Sequence, residues 1–132
     1  MKAQFFDRQD TANPLNGTSI ESFAELQSML ESVRNRPPFF AELIGDNGFK
    51  LLLGLGTNEG CVQFSSTDGA PPYLMAVAPN PRDSIGESEF LIGDTASPVP
   101  KRYCMPYEAV VHIAAAFLQT GQRKPDVHWE EI

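Results

Sequence analysis

The stretch from Phe117 to Ile132 constrains this chain more than any other. It reads Phe-Leu-Gln-Thr-Gly-Gln-Arg-Lys-Pro-Asp-Val-His-Trp-Glu-Glu-Ile. Its first residues finish an apolar helical stripe that begins at Tyr107. Gly121 is a natural helix stop, because the residue just past a helix end often takes a positive φ. Arg123 and Lys124 follow, where cations favour the negative end of the helix dipole. Pro125 prevents the helix from restarting. Val127 and Trp129 then share one parity, so a short final strand can bury them while His128 and Glu130 face out. A large aromatic in such a segment is expected to dock, because loose ends fray unless something pins them.

The preceding chain supplies what this helix and strand pack against. Residues 1–17 are mixed, and Phe5 and Phe6 suit an irregular arm or a short edge strand. Thr18 and Glu21 have capping-box spacing. Ile20, Phe23, Leu26, Leu30 and Val33 then make one helical stripe that ends before Pro37-Pro38. Strands follow over Phe39–Ile44, Phe49–Leu55, Cys61–Ser65, Tyr73–Ala78 and Glu87–Ile92. Asn47-Gly48 is a strong hairpin signal between the first two. Asp94 to Pro100, with two prolines, reads as loop. Pro106 suits the first position of the second helix. Tyr107, Val110, Val111, Ala114, Phe117 and Leu118 form its stripe. The expectation is one α+β domain over residues 1–132, an antiparallel meander of about five or six strands with two helices packed on it.

Length agrees with one domain: 132 residues bury roughly two thirds of their unfolded surface. Ten Lys and Arg against 17 Asp and Glu leave a net charge of −7. That balance argues against direct contact with nucleic acid, which needs clustered cations against phosphates. It suits a basic protein partner, whose encounter opposite charge would speed. It also suits plain solubility. No apolar run reaches signal-peptide or membrane-helix length, so the expected location is cytoplasmic, without membrane contact. Cys61 and Cys104 are then expected to be free thiols.

A helix ending in Phe-Leu-x-Thr-Gly, then a basic residue, a proline and Val-x-Trp-x-Glu, resembles the closing signature of a bacterial immunity-protein family. The match is concentrated in residues 106–131, with an echo in Gly60-Cys61-Val62-Gln63-Phe64. Here Lys124 stands between Arg123 and Pro125, where the family's pattern has arginine directly before proline. Members are encoded beside polymorphic toxins, many with nucleic-acid deaminase domains, and they bind and inhibit the toxin. The resemblance implies a non-catalytic inhibitor with one cognate toxin domain as partner, acting where the toxin's basic active-site mouth admits its substrate.

The chemistry-bearing residues otherwise form no recognisable catalytic set. Cys61, Cys104, His112 and His128 lack the two-to-four-residue spacing of a zinc site, and no metal or cofactor is expected. His112, beside the apolar stripe, is expected to be partly buried. Cys104 and His112 could pair as nucleophile and base, but no oxyanion-forming motif accompanies them. Glu87 and Glu89 share a strand face without the apolar surroundings that would raise a carboxyl pKa. Gly54-Leu55-Gly56 lacks the later glycine and lysine of a nucleotide loop.

What remains is a binding surface. Asp83, Glu87, Glu89 and Asp94 lie within twelve residues of chain, after the stiff Pro79-Asn80-Pro81 stretch, and Tyr73 offers an aromatic anchor. Carboxylates around an aromatic suit a basic partner. The same charges would also serve an edge strand that discourages sheet–sheet association. Taken with the resemblance, these five residues are the expected partner-binding set. The alternative class is a small ligand-binding or enzymatic α+β domain with a pocket between sheet and helices.

Overall fold

The computed structural model describes residues 1–78 and 85–132. Pro79-Asn80-Pro81 and Asp83 lie outside them. Two helices pack on a sheet that is antiparallel except at one bridge, so the fold class is α+β as expected. The sheet is larger than expected: ten strands among the described residues, not five or six. In chain order these are β1 Ala3–Asp7, β2 Ser19–Ile20, helix α1 Phe23–Val33, β3 Phe39–Gly45, β4 Phe49–Leu55, β5 Glu59–Ser66 and β6 Leu74–Val77. Then follow β7 Glu87–Ile92, β8 Thr95–Pro100, a 3-10 turn Lys101–Tyr103, β9 Met105–Pro106, α2 Tyr107–Thr120 and β10 His128–Glu131.

The main sheet runs β10-β6-β5-β4-β3-β1-β2. Its centre, β3 to β6, is the meander that the turn signals imply. Six further strands enlarge it, and three of them matter most here. The first is β1, which is no loose arm: it pairs antiparallel with β3 from Ala3 opposite Gly45 to Asp7 opposite Ala41. The second is β10, which pairs with β6 and places Trp129 opposite Ala76. The third is β8, a strand where a loop was expected. It pairs with β7 alone. The Lys101 amide donates to the Gly86 carbonyl (3.1 Å). Amides alternate along a strand, so Val99 and Ser97 also point at β7 while Pro98 and Pro100 point away. An edge strand tolerates prolines in that phase, because no ladder donor is lost.

Alternation divides the sheet's side chains into two cores. Phe39, Ala41 and Leu43 on β3, Leu51, Leu53 and Leu55 on β4, and Val62 and Phe64 on β5 face the helices and join one buried cluster. Leu26, Met29, Leu30 and Val33 of α1 and the α2 stripe close it. Phe23, expected in the α1 stripe, is 47% exposed, and Ile20 belongs to β2. The capping box is shifted as well: the Ser22 hydroxyl accepts from the Glu25 amide, and the Glu25 carboxylate accepts from the Ser22 amide. Ser22 wins because Ser19 and Ile20 are held in β2 against Gln4 and Ala3. Pro106 is the cap residue of α2, one position before its first helical turn.

Gly121 ends α2 with φ 74°, and its carbonyl accepts from the Asn47 side chain (2.8 Å), tying the helix end to the β3–β4 turn. The closing segment is docked. Trp129 is half-buried with its ring edge-on to Phe64 (6.3 Å between centroids), and its indole N–H donates to the Lys124 carbonyl (3.3 Å). No helix among the described residues is long and apolar enough to cross a membrane.

Candidate functional site

The face away from the helices carries the second, smaller core: Phe40, Cys61, Met75, Phe90 and Val99. The β7–β8 hairpin covers part of this face. Phe90 points inward and meets Phe40 at 5.4 Å between ring centroids. Gly54 makes that approach possible, because a Cβ there would sit 2.5 Å from the Cys61 sulfur and 2.9 Å from the Phe90 ring. The Ser88 hydroxyl donates to Glu59, which also accepts from Lys101 (3.1 Å). The hairpin tip is held by the Gly93 amide, which donates to the Arg8 carbonyl (2.9 Å). Arg8 and Lys50 in turn clamp the buried Glu42 carboxylate on this same face.

The hairpin leaves a cleft of about 550 Å³ beside it. Leu52, Gln63 and Met75 lie along the sheet side of this cleft, and Ile92, Pro98 and Pro100 along the hairpin side. Tyr103 and Ile132 contribute from the β10 side. The Ile132 amide donates to the Tyr73 carbonyl (3.0 Å), so Tyr73 stands next to this wall. Its own hydroxyl is turned back onto the Gly69 carbonyl. A volume of this size is within the range of small-ligand pockets, but such pockets hold a few convergent polar groups on their walls. Here most of the lining is aliphatic, proline and aromatic, and its polar side chains are Gln63, Ser97, Tyr103 and Glu131.

Among the described residues, none of the expected partner-binding residues lines this cleft itself. Glu87 and Glu89 are exposed on the outer face of β7, opposite Pro100 and Pro98. Asp94 is exposed in the two-residue turn of the same hairpin. Tyr73 is half-buried at the start of β6, on the far side of the cleft. Asp83 falls outside the described residues. The structure therefore brings Glu87, Glu89 and Asp94 onto one hairpin and sets Tyr73 apart from them.

Local electrostatics leave this region negative. Arg102 holds Glu130 through two Nε contacts of 2.9 and 3.1 Å and a further Nη2 contact. That guanidinium, outweighing partial burial and helped by the Tyr103 hydroxyl, holds the Glu130 carboxyl down at about 2. Burial pushes Glu59 up, but Ser88 and Lys101 together hold it below the usual range. Lys101 and Arg102, which lie in the chain between cleft-lining Pro100 and Tyr103, are thus already committed. Among the described residues, Glu87, Glu89 and Asp94 have no ion-pair partner.

The thiols and imidazoles are dispersed. Cys61 is buried and free, and burial pushes its thiol far up, with Cys104 adding to the effect. Cys104 is free as well, its pKa raised chiefly by burial. Neither has the lowered pKa of a reactive thiol. His112 is exposed, contrary to the partly buried position expected of it. At 100° per residue it turns off the stripe between buried Val111 and Ile113. It lies on the helix layer, whereas Cys104 packs against the core of the opposite face, so the two are not juxtaposed as base and nucleophile. No group of three or more His, Cys, Asp or Glu among the described residues could hold a metal ion.

Sequence reasoning missed the cleft residues themselves. Leu52 carried a usable signal: it is apolar on the face of β4 that Lys50 and Gly54 share, which calls for cover on that side too. A family model described as Immunity protein Imm1 matches residues 16–131. No curated protein matches the chain.

Proposed function

This chain belongs to the Imm1 immunity protein family, so its partner is a toxin protein, and from that premise we propose that it inhibits a nucleic-acid deaminase toxin by covering the substrate mouth. The observation that carries this reading is the exposed hairpin on which Glu87 and Glu89 stand opposite two prolines, with Asp94 at the turn. A deaminase must admit a nucleic-acid strand and a flipped-out base, and the mouth that does so is basic. Carboxylates unpaired among the described residues compete with phosphate for those cations, and they are not processed by the toxin's chemistry. Opposite charge also speeds capture, which matters when a few free toxin molecules suffice for damage.

The proposed contact set is Glu87, Glu89 and Asp94, with Tyr73 across the cleft and Asp83 in the adjoining segment. The family suggests a non-enzymatic inhibitor, and the chain's task on this reading is binding alone. Action in the cytoplasm, where an incoming toxin meets its target, belongs to the same proposal.

The test uses the toxin domain encoded in the neighbouring gene. The purified pair should form a 1:1 complex on size exclusion, and toxin-catalysed release of ammonia from single- and double-stranded DNA and RNA should fall stoichiometrically with added chain. A complex with a toxin that cleaves nucleic acid but deaminates nothing would remove the deaminase assignment and keep the immunity role. Absence of any complex would remove both.

A further inference from the structure

We propose that the cleft beside the β7–β8 hairpin is the anchor pocket of the interface, taking one large apolar side chain of the toxin from a segment that carries lysine or arginine beside it. The inference rests on the immunity reading and adds the contact chemistry. Three observations on separate parts of the molecule converge on it.

The first is the cleft's lining. Leu52 and Met75 form an apolar floor, and the aliphatic Ile92 and Ile132 at its margin are 45% and 58% exposed. Large aliphatic groups left in water around one concavity gain most from a partner that fills it, and buried apolar anchors dominate interface energetics. The second is the free edge of β8. An exposed strand edge ordinarily invites an added strand, held by main-chain hydrogen bonds. Here Pro98 and Pro100 occupy the outward-facing positions and carry no N–H, so a regular ladder cannot form. The occupant therefore enters by its side chains.

The third is charge. Pro98 and Pro100, which line the cleft, stand opposite Glu89 and Glu87 on the hairpin. The neighbouring cations Lys101 and Arg102 are engaged by Glu59 and Glu130. A segment that seats an apolar residue in the cleft thus passes carboxylates that favour a flanking cation. Desolvation around the apolar anchor strengthens that pairing, since contacts at the centre of an interface lose their competing water.

The experiment has two arms. In the first, the wild-type chain alone is titrated with N-acetyl-tryptophanamide and followed by methyl NMR. Shifts should concentrate on Leu52, Met75, Ile92 and Ile132; shifts spread evenly over the surface overturn the pocket. In the second, affinity for the neighbouring gene's toxin domain is compared across variants with thermal midpoint as the folding control. Gln63→Trp, which fills the cleft from its sheet side, should weaken binding at least a hundredfold. Ile92→Asp and Ile132→Asp, at exposed positions, should each weaken it about tenfold, equivalent to about 1.4 kcal/mol. Phe23→Ser, exposed on α1 beyond the other face, should stay within twofold. If Gln63→Trp does not fold, the two aspartate variants decide. Folded cleft variants that bind like wild type overturn the inference and leave the immunity reading intact. A wild-type chain that ignores the toxin while the probe still seats in the cleft removes the immunity reading and leaves an apolar docking pocket.

Discussion

The two faces of the sheet are both apolar at their centres, yet they are closed in different ways. The helix side is sealed by two amphipathic helices whose stripes interlock with three central strands, and its largest side chains, such as Phe39, Phe117 and Leu53, are fully buried. The opposite side is closed by a single two-stranded hairpin that reaches only part of the way across, leaving the cleft and exposed Ile92 and Ile132. Most of the apolar burial therefore lies on one face, and the other keeps apolar and acidic surface available. A small domain can divide the work this way because a sheet presents every second residue to each side. Substitutions on the two faces should accordingly separate stability from binding.

The largest expected difference is in stability. Phe117 touches Phe64 edge-on (6.2 Å between centroids) and is fully buried under α2. Phe117→Ala should cost about 3–5 kcal/mol, the usual range for an aromatic removed from a close-packed core. Met75, also buried but lining the cleft, has space beside it into which its surroundings can relax. Met75→Ala should cost about 2 kcal/mol, at the low end of the range for Met. Urea unfolding of both variants checks this. Equal losses would mean that the hairpin face is packed as tightly as the helix face.

An intermediate effect belongs to the ion pair at the end of the helix-side core. Asp7 is buried on β1, where its carboxylate accepts from the amides of Gln9 (2.9 Å) and Asp10 (2.8 Å), from the Asn13 side chain (3.0 Å) and from Arg36. Burial alone would push its pKa up; Asn13, the two amides and Arg36 together bring it below 3.8. A carboxyl lowered in the folded state contributes stability that is fully present above its unfolded value, near 3.9, and is lost as pH falls through the folded value. Asp7→Asn should therefore cost about 2 kcal/mol at neutral pH, below the 3–5 of a fully buried pair because Arg36 is partly exposed. The gap between variant and wild type should narrow as pH drops below about 4. A gap independent of pH from 7 to 2 would show that packing, and not charge, holds Asp7 in place.

How much of this arrangement was readable from the residues differs between the faces for the same physical reason. The α2 stripe, the Gly121 stop, the β3–β4 turn and the docking of Trp129 depend on local periodicity and turn chemistry, and each stands where the residues imply. The hairpin did not read as a hairpin. Pro98 and Pro100 argue against any strand until it is known that β8 has only one neighbour, a fact of topology. The expected Thr18 cap gave way to Ser22 because Ser19 and Ile20 pair with β1, a contact outside any local pattern. The cleft assembles residues from Phe40 to Ile132, so no window of sequence contains it. The acidic run on the hairpin, by contrast, was visible as composition, and the structure adds that its members Glu87, Glu89 and Asp94 are exposed together.

The smallest effect on stability, and the most direct probe of the proposed binding face, is expected from that acidic run. Glu87 and Glu89 are exposed and unpaired among the described residues, so replacing either by Ala should change unfolding stability by no more than about 0.5 kcal/mol. Toxin binding should respond differently. A carboxylate that only steers acts on the association rate, and its effect should fade with salt, because the Debye length falls from about 10 Å at 0.1 M to about 3 Å at 1 M. A carboxylate desolvated against a toxin cation acts on dissociation, at a cost of about 2–5 kcal/mol that salt scarcely alters. Single Ala variants at Glu87, Glu89 and Asp94, measured for both rates at two salt concentrations, separate the two roles residue by residue. Glu89, opposite the cleft-lining Pro98, is expected to show the dissociation effect, and Asp94, at the hairpin turn, the association effect. At least one variant should lose tenfold or more in affinity, about 1.4 kcal/mol. Should all three keep wild-type rates at both salt concentrations, the toxin engages another surface, and the exposed turn at Asp46-Asn47 and exposed Asn58, just before half-buried Glu59, become the positions to test.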